Sequence, residues 1–295
     1  MQTPWGDLAV RDAHIHFFSH QFFRLLTGGR EPASVAEQLQ WIAPPESNAD
    51  LAGQWTAELD RHGVASAAVI SSIPGDEASV IEAVAAQPGR LHGQFLLNPL
   101  APDAAERLQS AFSAGVRTVC LFPAMQRFSV ADERLEPLWQ LAAGRNVFVH
   151  CGVLSVGIRK RLGLPSPFDM RFSHPLDLHH VALRHPGIRF IVPHFGAGYF
   201  RETLMLADLC PNVYLDTSSS NSWMRYEDLT LEAVFRRALA VAGPRRLLFG
   251  TDSSFFPRGW VRPVFDAQCA ALSSIGISAP DAAAIFGDNL LSLQS

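Results

Sequence analysis

His14 and His16 stand two residues apart in Asp12-Ala13-His14-Ile15-His16, and in extended backbone residues i and i+2 face the same side. Two imidazoles on one face can grip a single cation. Three further apolar runs end on a residue type that binds metals or moves protons: Val147-Phe148-Val149-His150, Ile191-Val192-Pro193-His194 and Leu247-Leu248-Phe249-Gly250-Thr251-Asp252. His14, His16 and His150 supply three imidazoles and Asp252 a carboxylate. That donor set suits one divalent ion of the zinc class, with ligand bonds of about 2.0–2.2 Å. Taken alone, a His-x-His pair or a strand-ending histidine is ordinarily hydrogen-bonded to nearby backbone. Four such endings in one chain call for a shared site.

These side chains meet only if their strands lie side by side with their ends aligned. Eight short apolar runs are bounded by turn residues: 8–16, 64–73, 91–99, 115–123, 146–152, 188–196, 212–219 and 246–254. Most are nearly continuously apolar rather than alternating, as strands of a parallel sheet covered on both faces should be. Between them lie segments with helical spacing, at 50–62, 76–87, 102–114, 132–144, 176–185, 201–209, 229–241 and 263–275, several of which run into Gly or Pro. Strand–helix alternation eight times over predicts an α/β fold, a (β/α)8 TIM barrel of one domain over residues 1–295, with its functional groups at the C-terminal strand ends. A doubly wound open sheet is the rival, but Gly28-Gly29 lacks the GxGxxG spacing. Residues 20–45 follow the first strand and read either as a lid or as loop filler. A ninth helix over 280–293 closes the chain.

Composition narrows the partners. With 24 Lys+Arg against 28 Asp+Glu the 295-residue chain carries a net charge of −4, and no basic block supports a nucleic-acid partner. No stretch approaches the ~18 apolar residues of a membrane span, and the N-terminus lacks a signal-peptide pattern. Cys120, Cys151, Cys210 and Cys269 are widely spaced, which fits reduced thiols in a cytoplasmic protein. A small-molecule substrate is expected, and a homodimer is the default assembly.

Residues near the strand ends hint at that substrate. Phe17, Phe18, Phe122, Phe195, Phe255, Phe256 and Trp260 follow strands and would line a pocket for a flat or ring-shaped molecule, although such rings also fill cores. Arg159, Lys160 and Arg161 follow strand five, and Arg258 and Arg262 follow strand eight. Arginine forks suit a carboxylate, whereas solvated loop charge is the plainer reading of each. His174 sits in a loop that could overhang the site. Phe17, Phe122, His174, Arg159 and Trp260 form the candidate substrate-binding set. Asp12 is expected to support an imidazole. Asp216, ending strand seven, faces a neighbouring strand or the pocket, and Cys151 should point away from it.

The pattern resembles the amidohydrolase superfamily, and more closely its amidohydrolase-related branch, which includes aminocarboxymuconate-semialdehyde decarboxylase. The resemblance runs from Asp12-Ala13-His14-Ile15-His16 through Val149-His150-Cys151-Gly152, Pro193-His194-Phe195-Gly196 and Phe249-Gly250-Thr251-Asp252 to Ile285-Phe286-Gly287-Asp288-Asn289-Leu290. It implies that His14, His16 and His150 are metal ligands and that Asp252 is a ligand or the proton acceptor beside a metal-bound water. His194 would be the acid/base that holds that water. Binuclear members bridge two ions with a carboxylated lysine ending strand four. Here that strand reads Thr118-Val119-Cys120-Leu121-Phe122-Pro123, and the only lysine is Lys160, so one ion, Zn2+, is expected. Such a site lowers the pKa of water from 15.7 towards about 7 and can hydrolyse an ester, lactone or amide. The same groups can run non-oxidative decarboxylation. A barrel that binds a ligand without turnover is the reading from another class, and the intact set of five residues argues against it.

Overall fold

The computed structural model describes residues 1–218 and 223–294. Eight parallel strands follow one another in sequence order around one sheet: β1 (Arg11–Phe17), β2 (Ser66–Ser71), β3 (Leu91–Leu96), β4 (Thr118–Leu121), β5 (Asn146–Val149), β6 (Arg189–Val192), β7 (Val213–Asp216) and β8 (Leu247–Leu248). Ser219, with which the seventh apolar run ends, lies outside the described residues. Regular pairing of β8 with β7 covers only Leu247 and Leu248. Beyond it the chain crosses to β1, where Ala13 N–H donates to the Phe249 carbonyl (2.8 Å), Asp252 N–H to the His14 carbonyl (3.0 Å) and His16 N–H to the Ser253 carbonyl (2.7 Å). These bonds bring the last strand against the first and nearly close a (β/α)8 barrel.

Helices α1 (His20–Thr27) and α2 (Pro32–Leu39) follow β1, and the outer helices α3 (Asn48–His62), α4 (Glu77–Ala86) and α5 (Ala104–Ser113) cover β1 to β4. Short α6 (Pro123–Gln126), α7 (Glu136–Leu141) and α8 (Gly157–Arg161) follow β4 and β5, and α9 (Asp177–Arg184), α10 (Phe200–Leu209), α11 (Leu231–Ala242) and α12 (Arg262–Ser274) complete the ring. Side chains split into two layers, as strands buried on both faces require. Ile15, Phe17, Val69, Phe95, Val119, Val147 and Phe190 face the helices. Ala68, Ile70, Leu96, Cys120, Phe148 and Leu248 fill the barrel, and Leu290 and Leu293 plug it from below. The closing helix expected over 280–293 is interrupted by a π turn at Ala284–Asp288.

Residues 20–45 are not filler. Ser19 Oγ accepts Phe22 N–H (2.9 Å) and opens a helix over His20–Thr27, which ends on Gly28 in left-handed backbone (φ 69). Pro32 then starts a second helix, Pro32–Leu39. Phe22, Phe23, Val35 and Leu39 pack on Ile158 and Leu162 as a separate apolar cluster. The segment forms a strap between the first strand and α8. Among the described residues no helix is long and apolar enough to cross a membrane.

Candidate active site

A register shift between Asp12 and Ile15 places a bulge in β1, a device that re-aims side chains beside functional sites. Asp12 supports it. Its carboxylate accepts His14 N–H (2.8 Å), Thr251 N–H (3.2 Å), the Thr251 hydroxyl (2.5 Å) and the Trp260 indole N–H (2.8 Å). Burial raises its pKa to about 6 against the pull of these donors. Asp12 therefore holds the backbone at His14 rather than an imidazole.

The orientation of both histidines follows from their second nitrogens. His14 Nδ1 lies 2.6 Å from Asp216 Oδ2; a carboxylate accepts, so Nδ1 carries the hydrogen and Nε2 the lone pair. His16 Nδ1 lies 2.6 Å from Ser72 Oγ, which in turn donates to the Ile70 carbonyl (3.1 Å), and this turns its Nε2 towards Asp252. Asp252 Oδ1 stands 3.1 Å from His16 Nε2 and 3.7 Å from His14 Nε2. These three residues offer ligand atoms within 4.8 Å of one another. His14 Nε2 is shut from solvent and, among the described residues, without a hydrogen-bond partner, which is costly unless a cation or a donor takes up its lone pair. A divalent cation fits that donor set.

Gly250 makes this convergence possible. A Cβ there would fall 2.8 Å from Asp216 Oδ1 and 2.9 Å from the Cβ atoms of His14 and Ser218. His150 and His194 line the same cavity, their rings 5.3 Å apart. His150, expected as a third imidazole, shares that cavity with His14, His16 and Asp252, although the tightest group of ligand atoms is formed by those three. It stacks on Phe122 at 5.0 Å, and its Nδ1 is buried without a partner among the described residues. His194 occupies left-handed backbone (φ 55), and its Nδ1 donates to the Ser218 carbonyl (2.8 Å), which leaves the lone pair of the neutral ring on Nε2.

Charge follows from burial and neighbours. Burial, with His194 and His14 nearby, holds the His150 pKa well below the usual imidazole range. Burial and His14 likewise lower that of His194. Burial opposes protonation of His14, but Asp216 and Asp252 outweigh it and raise its pKa. Burial also opposes ionisation of Asp252, and His16, His14 and His194 overcome it, so its carboxyl stays ionised well below the ordinary range.

The cavity holds about 450 Å³. Phe122 and Arg159 of the expected substrate set line it, as do Phe18, Phe255, Arg161 and Arg258. Three of the expected set do not. Phe17 alternates with His16 and is fully buried among the outer side chains. Trp260 lies against Phe249 and Phe265 with its N–H on Asp12. His174 packs on Tyr199 (4.9 Å), away from the cavity. Lys160 is also absent from the lining, and Arg262 pairs with Asp266 outside it (2.7 Å). Cys151 is buried, its thiol pushed up to about 12 by that burial.

Residues 12–289 match the amidohydrolase family. The chain belongs to that family. This amidohydrolase-family chain is 33% identical over 85 residues to protein fluG of Emericella nidulans, a match covering 29% of the chain and only 10% of that relative. A probable 2-pyrone-4,6-dicarboxylic acid hydrolase from Acinetobacter baumannii, with citric acid bound, superposes with a TM-score of 0.65 at 13% identity, over 97% of this chain and 99% of that one. An amidohydrolase from Burkholderia multivorans with bound zinc gives 0.61 at 17% identity, over 97% and 98%. At such identities these two likenesses concern the fold.

Several cavity residues carry no signal in the apolar pattern of the strands. Phe22, Leu26 and Trp41 come from the strap, and Trp223, Arg225 and Tyr226 from the loop after β7. A run of Trp, Arg and Tyr just beyond a strand that ends in Asp216 was the available signal. Asp216, left undecided by alternation, proves to be the hydrogen-bond partner of His14.

Proposed function

We propose that this protein hydrolyses a small carboxylated or cyclic substrate (a lactone, ester or amide) at the cluster of His14, His16 and Asp252, which would hold one zinc-class ion. A single observation carries the reading: the buried Nε2 of His14, without a hydrogen-bond partner among the described residues, converges with His16 Nε2 and Asp252 Oδ1 on the wall of one cavity. A bound ion of this class lowers the pKa of water from 15.7 towards about 7. His150, kept neutral by burial, is the further imidazole available on the cavity wall. Asp252 accepts the proton of the attacking water and delivers it to the leaving oxygen or nitrogen as the acyl bond breaks. Neutral His194 presents Nε2 to orient that water, fixed by its bond to the Ser218 carbonyl.

The four lining arginines support a carboxylated substrate. Arg159 donates to the Pro165 carbonyl (2.8 Å), Arg161 to the Leu39 carbonyl, Arg225 to the Tyr226 hydroxyl (2.8 Å) and Arg258 to the Asp252 carbonyl (3.0 Å). Among the described residues none of the four pairs with a carboxylate. A screen of lactones, amides and aromatic acids tests the reading. Chelator-sensitive release of a ring-opened acid or an amine supports it. Carbon dioxide release without hydrolysis would replace it with decarboxylation, and binding without turnover of any kind would replace it with a ligand-binding role.

A further inference from the structure

The loop after β8 does more than deliver Asp252. The aspartate occupies left-handed backbone (φ 58), which is uncommon for a non-glycine residue and persists when its surroundings hold it. Its N–H is held by the His14 carbonyl (3.0 Å). Its own carbonyl accepts from Arg258 Nη2 (3.0 Å), and the same nitrogen donates to Ser254 Oγ (2.7 Å). The Arg258 guanidinium lies over the Phe255 ring at 4.7 Å. Phe255 stacks on Trp41 with centroids 3.8 Å apart and planes 11° from parallel. Arg161 lies 5.5 Å over the Trp41 ring and donates to the Leu39 carbonyl at the end of the strap's second helix. Ile42 N–H donates to the Phe256 carbonyl (2.9 Å). Two guanidiniums and two rings thus join the strap, α8 and the loop carrying Asp252 through aromatic stacking and cation–π contacts.

We propose that Arg258 is a positioning residue for Asp252, and that the column Arg161–Trp41–Phe255–Arg258 makes docking of the strap part of how the aspartate is held. The functional consequence rests on the reading of Asp252 as proton acceptor; the geometric claim does not. An arginine suits the place because a planar guanidinium stacks on a ring while directing a donor at a carbonyl, which a lysine ammonium does less well.

Arg258→Met keeps a stem to pack on Phe255 and removes every donor; Arg258→Lys restores one donor; Trp41→Leu cuts the column at the strap. In crystals of Arg258→Met, Asp252 is expected to leave its left-handed backbone or swing its Oδ1 by about 1 Å or more from His16, a misplacement of the size that costs about 100-fold in rate. On a substrate found in the screen, kcat is expected to fall roughly 10- to 100-fold, Arg258→Lys recovering much of the loss. The Trp41→Leu/Arg258→Met pair is expected to lose less than the two single losses combined. Asp252 unmoved in the Arg258→Met crystals would overturn the proposal, and so would losses that simply add. A wild-type protein without turnover would defeat the functional reading instead, and the crystals alone would then decide the positioning claim.

Discussion

Asp216 illustrates how one buried carboxylate can set a site it does not enter. Its Oδ2 holds His14 Nδ1 while its Oδ1 accepts Ser218 N–H (2.7 Å), so the imidazole can turn neither its tautomer nor its plane. Asp216→Asn keeps an acceptor but loses the charge, and is expected to weaken zinc affinity about 10- to 100-fold, read by calorimetric titration. Asp252→Asn is expected to lower kcat by about 10²–10⁴-fold with a thermal midpoint within a few degrees of wild type; unchanged turnover would remove Asp252 from the chemistry. At this scale the shared cavity was legible wherever a polar residue ends an apolar run, as at His14, His16, His150, His194 and Asp252, all of which line it. It misled where alternation was not applied strictly. Phe17 is one residue from His16 and must face the opposite layer, whereas Phe18 enters the cavity.

Elements hold these residues through close backbone packing and through caps. Gly250→Ala would drive a Cβ into His14, Ser218 and Asp216. It is expected to cost about 1–3 kcal/mol of stability and to weaken metal binding with it, measured by denaturant unfolding and metal titration on the same preparation. The strap carries a pH-sensitive anchor. Asp76 accepts from Ser19 Oγ (2.7 Å), the hydroxyl that caps the strap's first helix, and burial raises its pKa from 3.8 to about 7. Between those values the folded chain keeps a proton that the unfolded chain has released. This contribution to stability is therefore complete below about pH 4, falls as pH rises through 7 and is level above, amounting to at most about 4 kcal/mol. Asp76→Asn is expected to flatten that part of the profile between pH 4 and 8. An unchanged slope would contradict the assignment. The strap's helices were hard to read because eight residues give barely two turns of periodicity and pack on α8 rather than on the barrel.

Across the whole molecule, the eight strands were legible because each is covered on both faces and reads as an apolar run. Closure was not, since β8 pairs with β7 over two residues and then crosses to β1 through bonds no hydrophobic pattern encodes. Nor could sequence order show that the strap and the loop after β7 reach one cavity. Among the described residues, β4 bears Cys120 against Gln94 (3.9 Å) where a second ion would need a bridging ligand, and Lys160 lies on α8. The most direct test is metal analysis of the purified, metal-replete protein beside its His16→Ala variant, with turnover followed through chelation and readdition. About one zinc-class ion per chain is expected, lost with activity on chelation, restored with it on readdition, and bound far more weakly by the variant. Two ions per chain, or full turnover by a metal-free protein, would contradict the account.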